Sequence, residues 1–191
     1  MSESERVTEE LQSLVPGRVV TNVKAYLRDS WPILLISQEE EGSALVAVRP
    51  MNIEEVAKVV KYAAANKLRI LCRGGGSSVT GASIPHGEIV VDMTGMNQVL
   101  DLDEDNGIVT VQAGIKLAEL EPRLSKNGFT LGQFPQFYEL ATVGGYVSTM
   151  VTGHYSTKYG GIEDCLDPRL SRLGTEALPG PPSAPTCPES S

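Results

Sequence analysis

Between residues 44 and 73 an apolar run, "ALVAVR", is followed by "IEEVAKVVKYAAANK" and then by a second apolar run, "LRILCR", which ends in three consecutive glycines. In the middle stretch Ile53, Val56, Ala57, Val60, Ala63 and Ala64 recur at helical spacing. Asn52 stands three residues before Glu55, the pattern of a helix start. Strand, helix and strand within roughly 30 residues form a βαβ unit, which predicts parallel pairing and a right-handed crossover.

The pattern then changes. "EIVVDM" (88–93) reads as a strand, "TGMNQVLDLDEDNG" as a bend, and "IVTVQAG" alternates as a further strand. "KLAELEPRLSKNG" predicts a helix that Gly128 stops, with Pro122 interrupting its pattern. The fold class expected is α+β: an N-terminal βαβ unit, then a mixed sheet with helices. Beyond Asp164 periodicity stops, and "CLDPRLSRLGTEALPGPPSAPTCPESS" holds six of the chain's twelve prolines and no aromatic residue. The expected organisation is an N-terminal extension over 1–16, a domain over 17–164 and a Pro-rich disordered tail over 165–191.

Composition narrows the partners. The chain has 191 residues and a net charge of −8, with no Lys/Arg cluster, so nucleic acid and anionic membrane are not expected partners. No apolar run approaches the roughly 18 residues a spanning helix needs, and "MSESERVTEELQSL" lacks the apolar region of a secretory signal. Cys72, Cys165 and Cys187 are odd in number and lack metal-ligand spacing, so the cytoplasm is the expected setting and no metal is expected. Cys72, within an apolar run, reads as a small buried core residue. "QEEEG" (38–42) and the acidic "DLDEDNG" read as solvated bends; the latter lacks the later Glu of a calcium loop.

The glycines raise the chemical question. "RGGGSSVTG" has no Lys-Ser/Thr after its last glycine, so it is not a Walker loop. Its glycine spacing also fails the Rossmann fingerprint, since the sixth position from Gly74 is Val79. What remains is a loop in which Gly74, Gly75 and Gly76 let the backbone come close to a ligand. Successive amides there form a nest for an anion. Ser77, Ser78 and Thr80 add hydroxyls, and Gly81 can close the turn. Arg73 is a candidate counter-charge, or else a solvent-exposed one. Phosphate cradle and structural turn are both open on this ground. A second stretch, "PQFYELATVGGYVSTMVTGHYSTKYGGIED" (135–164), again mixes glycines with hydroxyls. Two such segments suit an extended ligand held by amides and short hydroxyls.

Taken with "ALVAVRP" and "VVDMTGMNQVLDLDEDNGIVTVQAGIKLAEL", these segments resemble the FAD-binding domain of the vanillyl-alcohol oxidase / p-cresol methylhydroxylase (PCMH-type) superfamily, over roughly residues 17–164. Relatives within that group include D-lactate and glycolate dehydrogenases and alkyldihydroxyacetonephosphate synthase. The resemblance implies two α+β subdomains with FAD lying between them. It implies that Gly74 to Ser78 wrap the pyrophosphate, and that Pro135, Glu139, Thr142, Gly144, Gly145, Ser148 and Thr149 line the ribityl chain and flavin. Gly153, Ser156, Tyr159 and Gly160 would complete the wall. Where several relatives anchor FAD through a histidine, this chain has Ser77, so the cofactor is expected to be non-covalent; His86 and His154 read as loop residues. Phe137 and Val151 depart from the small residues usual at their positions. From Cys165 the family's apolar strands and cap domain give way to the Pro-rich tail, so the second subdomain is expected to be incomplete, as in a truncated or frame-shifted product.

The function implied is oxidation of a 2-hydroxy acid such as D-lactate or glycolate, with no catalytic residue assigned. The alternatives are an alkyldihydroxyacetonephosphate synthase-like transferase and a catalytically silent FAD-binding remnant. All three require the 74–78 turn and the 142–149 stretch to meet.

Overall fold

A computed structural model describes residues 2–20, 22–30 and 42–166. Of the charged bend expected at 38–42 only Gly42 is described, and the expected tail from 167 onward lies outside the described residues.

The βαβ reading holds, with one rearrangement. β2 (Ser43–Val48), α2 (Ile53–Ala65) and β3 (Ile70–Arg73) follow in order. The Asn52 side chain accepts from the Glu55 amide at 2.9 Å, and the Glu55 carboxylate accepts from the Met51 amide at 2.7 Å. β2 and β3 do not pair with each other. β4 (His86–Asp92) lies between them and runs parallel to both, and β1 (Val19–Val20) completes the sheet as an antiparallel edge. The parallel pairing expected within the unit is therefore made through a third strand.

One face of this sheet presents Val46, Val48, Ile89 and Val91, which pack on Val59 and Ala63 of α2. The same core takes in Val7 and Leu11 of α1 (Glu3–Leu14), together with Val15. The stretch set apart in sequence as an extension thus carries three fully buried side chains. Each such burial is worth about 1.5–3 kcal/mol. The opposite face, Ala47 and Val90, is covered by Tyr26 from a short 3-10 turn.

Cys72 corrects the sequence reading: it is exposed, not buried. β3 is the outer strand, so its side chains have a neighbouring strand on one side only. The expected bend at 94–107 contains a strand. β5 (Val99–Asp103) and β6 (Ile108–Val111) form an antiparallel hairpin, with Asp103 accepting from the backbone and side chain of Asn106 in its turn. α3 (Leu117–Ser125) runs through Pro122 and buries Leu117, Leu120 and Leu124. Leu120 and Leu124 pack with Ile115 against the hairpin residues Val99, Leu102, Val109 and Val111. α4 (Val143–Thr149) and the single turn α5 (Ser156–Tyr159) complete this second layer. His86 opens β4 instead of lying in a loop.

Candidate functional site

Parallel strands present their carboxyl ends to one edge, where ligands of α/β sheets characteristically bind. Here that edge carries Arg49 after β2, the end of β3 with its glycine loop, and Asp92 at the end of β4. They border a cavity of about 360 Å³ lined also by Gly74, Gly75, Thr94, Lys116, Glu119 and Leu140.

The two glycine segments meet beside it. A Cβ on Gly74 would run into the Thr142 hydroxyl, and one on Gly75 would stand 2.7 Å from the Leu140 carbonyl carbon. Bare backbone at 74 and 75 is therefore what lets the loop lie on the 140–142 segment. Gly81 has φ +77° and accepts from the Ile84 amide at 3.0 Å, closing the turn as its sequence position suggested. Among the described residues, no acceptor stands on the amides of Gly75, Gly76, Ser77 and Ser78.

α4 differs. The amides of Val143 and Gly144 donate to the Ile115 and Ala113 carbonyls at 2.9 and 2.7 Å, and the Gly145 amide donates to the Thr142 hydroxyl at 3.3 Å. The hydroxyls of Ser148 and Thr149 donate to the carbonyls of Gly144 and Gly145. The hydroxyl-rich composition of this segment is thus largely engaged within the protein. Pro135 is buried, Glu139 exposed.

Gly153, Ser156, Tyr159 and Gly160 gather around the single turn α5. The Gly153 amide donates to the Ser156 hydroxyl at 2.7 Å, and Gly160 adopts φ +80°. Tyr159 lines a second cavity, of about 200 Å³, with Thr130, Gly132, Phe134, Tyr155 and Lys158. His154 is exposed beside it, its amide bonded to the Phe134 carbonyl at 3.1 Å.

Arg73 is neither exposed nor aimed at the cavity alone. It is buried, and its guanidinium donates to three backbone carbonyls. The reading of a solvent-exposed charge is corrected: β3 ends on the face covered by Tyr26, and the side chain lies beneath that ring.

The sequence reading did not single out Tyr26, Arg49, Asp92, Thr94 or Lys116 as site residues. Asp92 is buried and accepts from the Tyr26 hydroxyl and Arg49 Nε, both at 2.7 Å, and from the Thr94 hydroxyl at 2.6 Å. Burial alone would raise its carboxyl, but the hydrogen bonds from Thr94, Tyr26 and Arg49 outweigh it and hold the group below its ordinary range. Burial, then the bond to Asp92, pushes the Tyr26 phenol up to about 12. The signal available in sequence was position: Arg49 follows the apolar run of β2 and Asp92 closes that of β4, two parallel strands that lie side by side in the sheet.

The family described as "FAD binding domain" matches residues 44–168. Alkyldihydroxyacetonephosphate synthase of Dictyostelium discoideum is 40% identical over 133 residues, which are 68% of this chain and 22% of that protein. D-lactate dehydrogenase of Archaeoglobus fulgidus is 33% identical over 136 residues, 71% of this chain and 30% of the relative. A solved structure of alkyldihydroxyacetonephosphate synthase superposes with a TM-score of 0.76 at 31% identity, covering 84% of this chain and 32% of that one. The chain therefore spans less than a third of the length of these relatives. Among the described residues, no helix is long and apolar enough to cross a membrane.

Proposed function

The chain belongs to the FAD-binding domain family, and on that premise we propose that it holds FAD non-covalently along the seam between its two glycine segments. The observation that carries this reading is the run of amides from Gly75 to Ser78, without described acceptors, on a loop seated against Leu140 and Thr142. The donor set fits the cofactor: consecutive amides suit a pyrophosphate, and in the adjoining cavity the cations Arg49, Arg73 and Lys116 outnumber the carboxylates Asp92 and Glu119, Arg49 being paired with Asp92. Gly74 to Ser78 bind the phosphates. Thr142, Gly144, Gly145, Ser148 and Thr149 wall the site, with Pro135 and Glu139 beside them. Gly153, Ser156, Tyr159 and Gly160 form the far wall. Ser77 offers no ring nitrogen for a covalent link.

Bound FAD supplies a hydride acceptor. This chain's part is to bind and orient it, and the activity served is oxidation of a 2-hydroxy acid such as D-lactate or glycolate. A synthase role of the alkyldihydroxyacetonephosphate type is the second reading, favoured by the 40% identity to the Dictyostelium protein. The FAD-binding unit spans residues 17–164 with α1 packed onto it. The odd number of cysteines, without metal-ligand spacing, supports a reducing compartment, the cytoplasm.

The test is a purified chain loaded with FAD and freed of excess by gel filtration. The reading expects a flavin spectrum that co-elutes, is bleached anaerobically by D-lactate or glycolate, and leaves the protein on acid precipitation. Colour retained by the precipitate refutes the non-covalent link. A flavin that is bound but never bleached refutes the oxidase role, and no co-elution refutes the cofactor.

A further inference from the structure

Arg73 is the last residue of β3, and the chain passes from it directly into the glycine loop. Its Nη1 donates to the Ser83 carbonyl at 2.6 Å and to the Tyr26 carbonyl at 3.3 Å, and its Nη2 to the Arg28 carbonyl at 2.7 Å. Ser83 lies at the far end of the loop, so the chain leaves the sheet at this arginine and returns to the same side chain ten residues later. Tyr26 and Arg28 come from a remote segment, and two more bonds join that segment to the loop. The Ser83 hydroxyl donates to Asp29 at 3.1 Å, and the Ser30 hydroxyl to the Gly76 carbonyl at 3.5 Å.

Gly76 adds an independent observation. It adopts φ +70°, and a Cβ there would stand 2.8 Å from Arg73 Cζ. A side chain at this position would be strained by that φ and would press on the arginine's fork. A planar guanidinium with a fixed fork of donors can reach acceptors in several directions at once, whereas an ammonium is a compact point charge.

We propose that Arg73 is a positioning residue for the dinucleotide: a buried core around which residues 74–83 are wound, holding the Gly75–Ser78 amides ready for a pyrophosphate before it arrives. This rests on the FAD reading above. Arg73 acts through the loop, without touching the phosphate.

The test compares the full chain with its Arg73→Ala and Arg73→Lys variants. FAD affinity falls roughly tenfold or more in Arg73→Ala, because the loop must then be ordered at the expense of binding, and Arg73→Lys recovers part of the loss. At saturating FAD the visible circular dichroism of the flavin stays that of the unsubstituted chain, which a general loss of structure would alter. In the unliganded protein, hydrogen exchange rises in peptides covering 22–30 and 74–85 while residues 89–91 of β4 stay protected. Affinities within twofold of the unsubstituted chain, or exchange that rises equally in all peptides, overturn the proposal. If the unsubstituted chain binds no FAD, the cofactor reading fails, and the exchange pattern alone decides whether Arg73 organises the loop.

Discussion

Replacing Gly75 by alanine tests the junction of the two glycine segments. The added Cβ would stand 2.7 Å from the Leu140 carbonyl carbon and 3.3 Å from its Cα. Carbon atoms at rest lie about 3.5–4.0 Å apart, so the loop and the 140–142 segment must separate by about 1 Å. Both partners are main chain, so no side-chain rotation relieves the contact. Overpacking of this kind costs about 1–3 kcal/mol, and the urea midpoint of the unliganded chain falls accordingly. Moving amide donors by about 1 Å also breaks hydrogen bonds to a pyrophosphate. Two such bonds lost at about 1.5 kcal/mol each weaken FAD binding roughly a hundredfold. Gly107→Ala is the control: nothing lies within 4 Å, though its φ of +64° makes alanine strained by about 1 kcal/mol. It should lower stability and leave FAD affinity unchanged. A Gly75→Ala chain with unaltered midpoint and unaltered affinity would refute the claim that the segments touch as described.

Leu11→Ala removes a fully buried side chain from the main core and should cost about 2–5 kcal/mol in urea denaturation; a loss under 1 kcal/mol would detach α1 from the fold. Asp92→Asn breaks the buried acceptor of Tyr26, Arg49 and Thr94. Because the carboxyl is depressed in the folded chain, its stabilisation is complete above the ordinary value of 3.8 and is lost as pH falls through the lower folded value. Half of the Arg49 side chain is exposed, so the cost at pH 6 is held to about 2 kcal/mol. The gap in urea midpoint between the two proteins should begin to narrow below about pH 4 and close as pH falls through the lower folded value. A gap independent of pH would contradict the assignment. Tyr26→Phe should destabilise by about 1 kcal/mol at neutral pH. The raised phenol keeps its contribution below the ordinary 10.0 and loses it as pH rises through about 12, so the difference between variant and parent should shrink there.

The parts of the fold that were legible in the sequence are those set by local chemistry. Asn52 and Glu55 marked the start of α2 because capping involves neighbours three residues apart. Gly128 marked the end of α3 because its φ of +80° suits glycine. What failed was non-local. Nothing in "EIVVDM" says that it slots between β2 and β3, and nothing in "LRILCR" says that Cys72 is exposed on an outer strand. β5 was hidden by Asp101 and Asp103, whose charges read as a bend although the pattern of "VLDLD" alternates. Val7 and Leu11 stood one helical turn apart among acidic residues, and the acidity masked the stripe.

The site was half legible for the same reason. Glycine content located both segments, but a glycine does not say what it makes room for. At Gly75 and Gly76 the nearest obstacles are Leu140 and Arg73, members of the protein itself. The cations of the cavity, Arg49, Arg73 and Lys116, are far apart in sequence and meet only through the strand order and the start of α3.

The most direct measurement is an amide resonance map of the chain titrated with FAD. The account predicts saturable movement of the Gly75, Gly76, Ser77 and Ser78 amides at one equivalent of FAD, while Gly107 and Gly128 stay in place. FAD that binds without moving those four resonances, or moves only residues remote from Leu140 and Thr142, would contradict it.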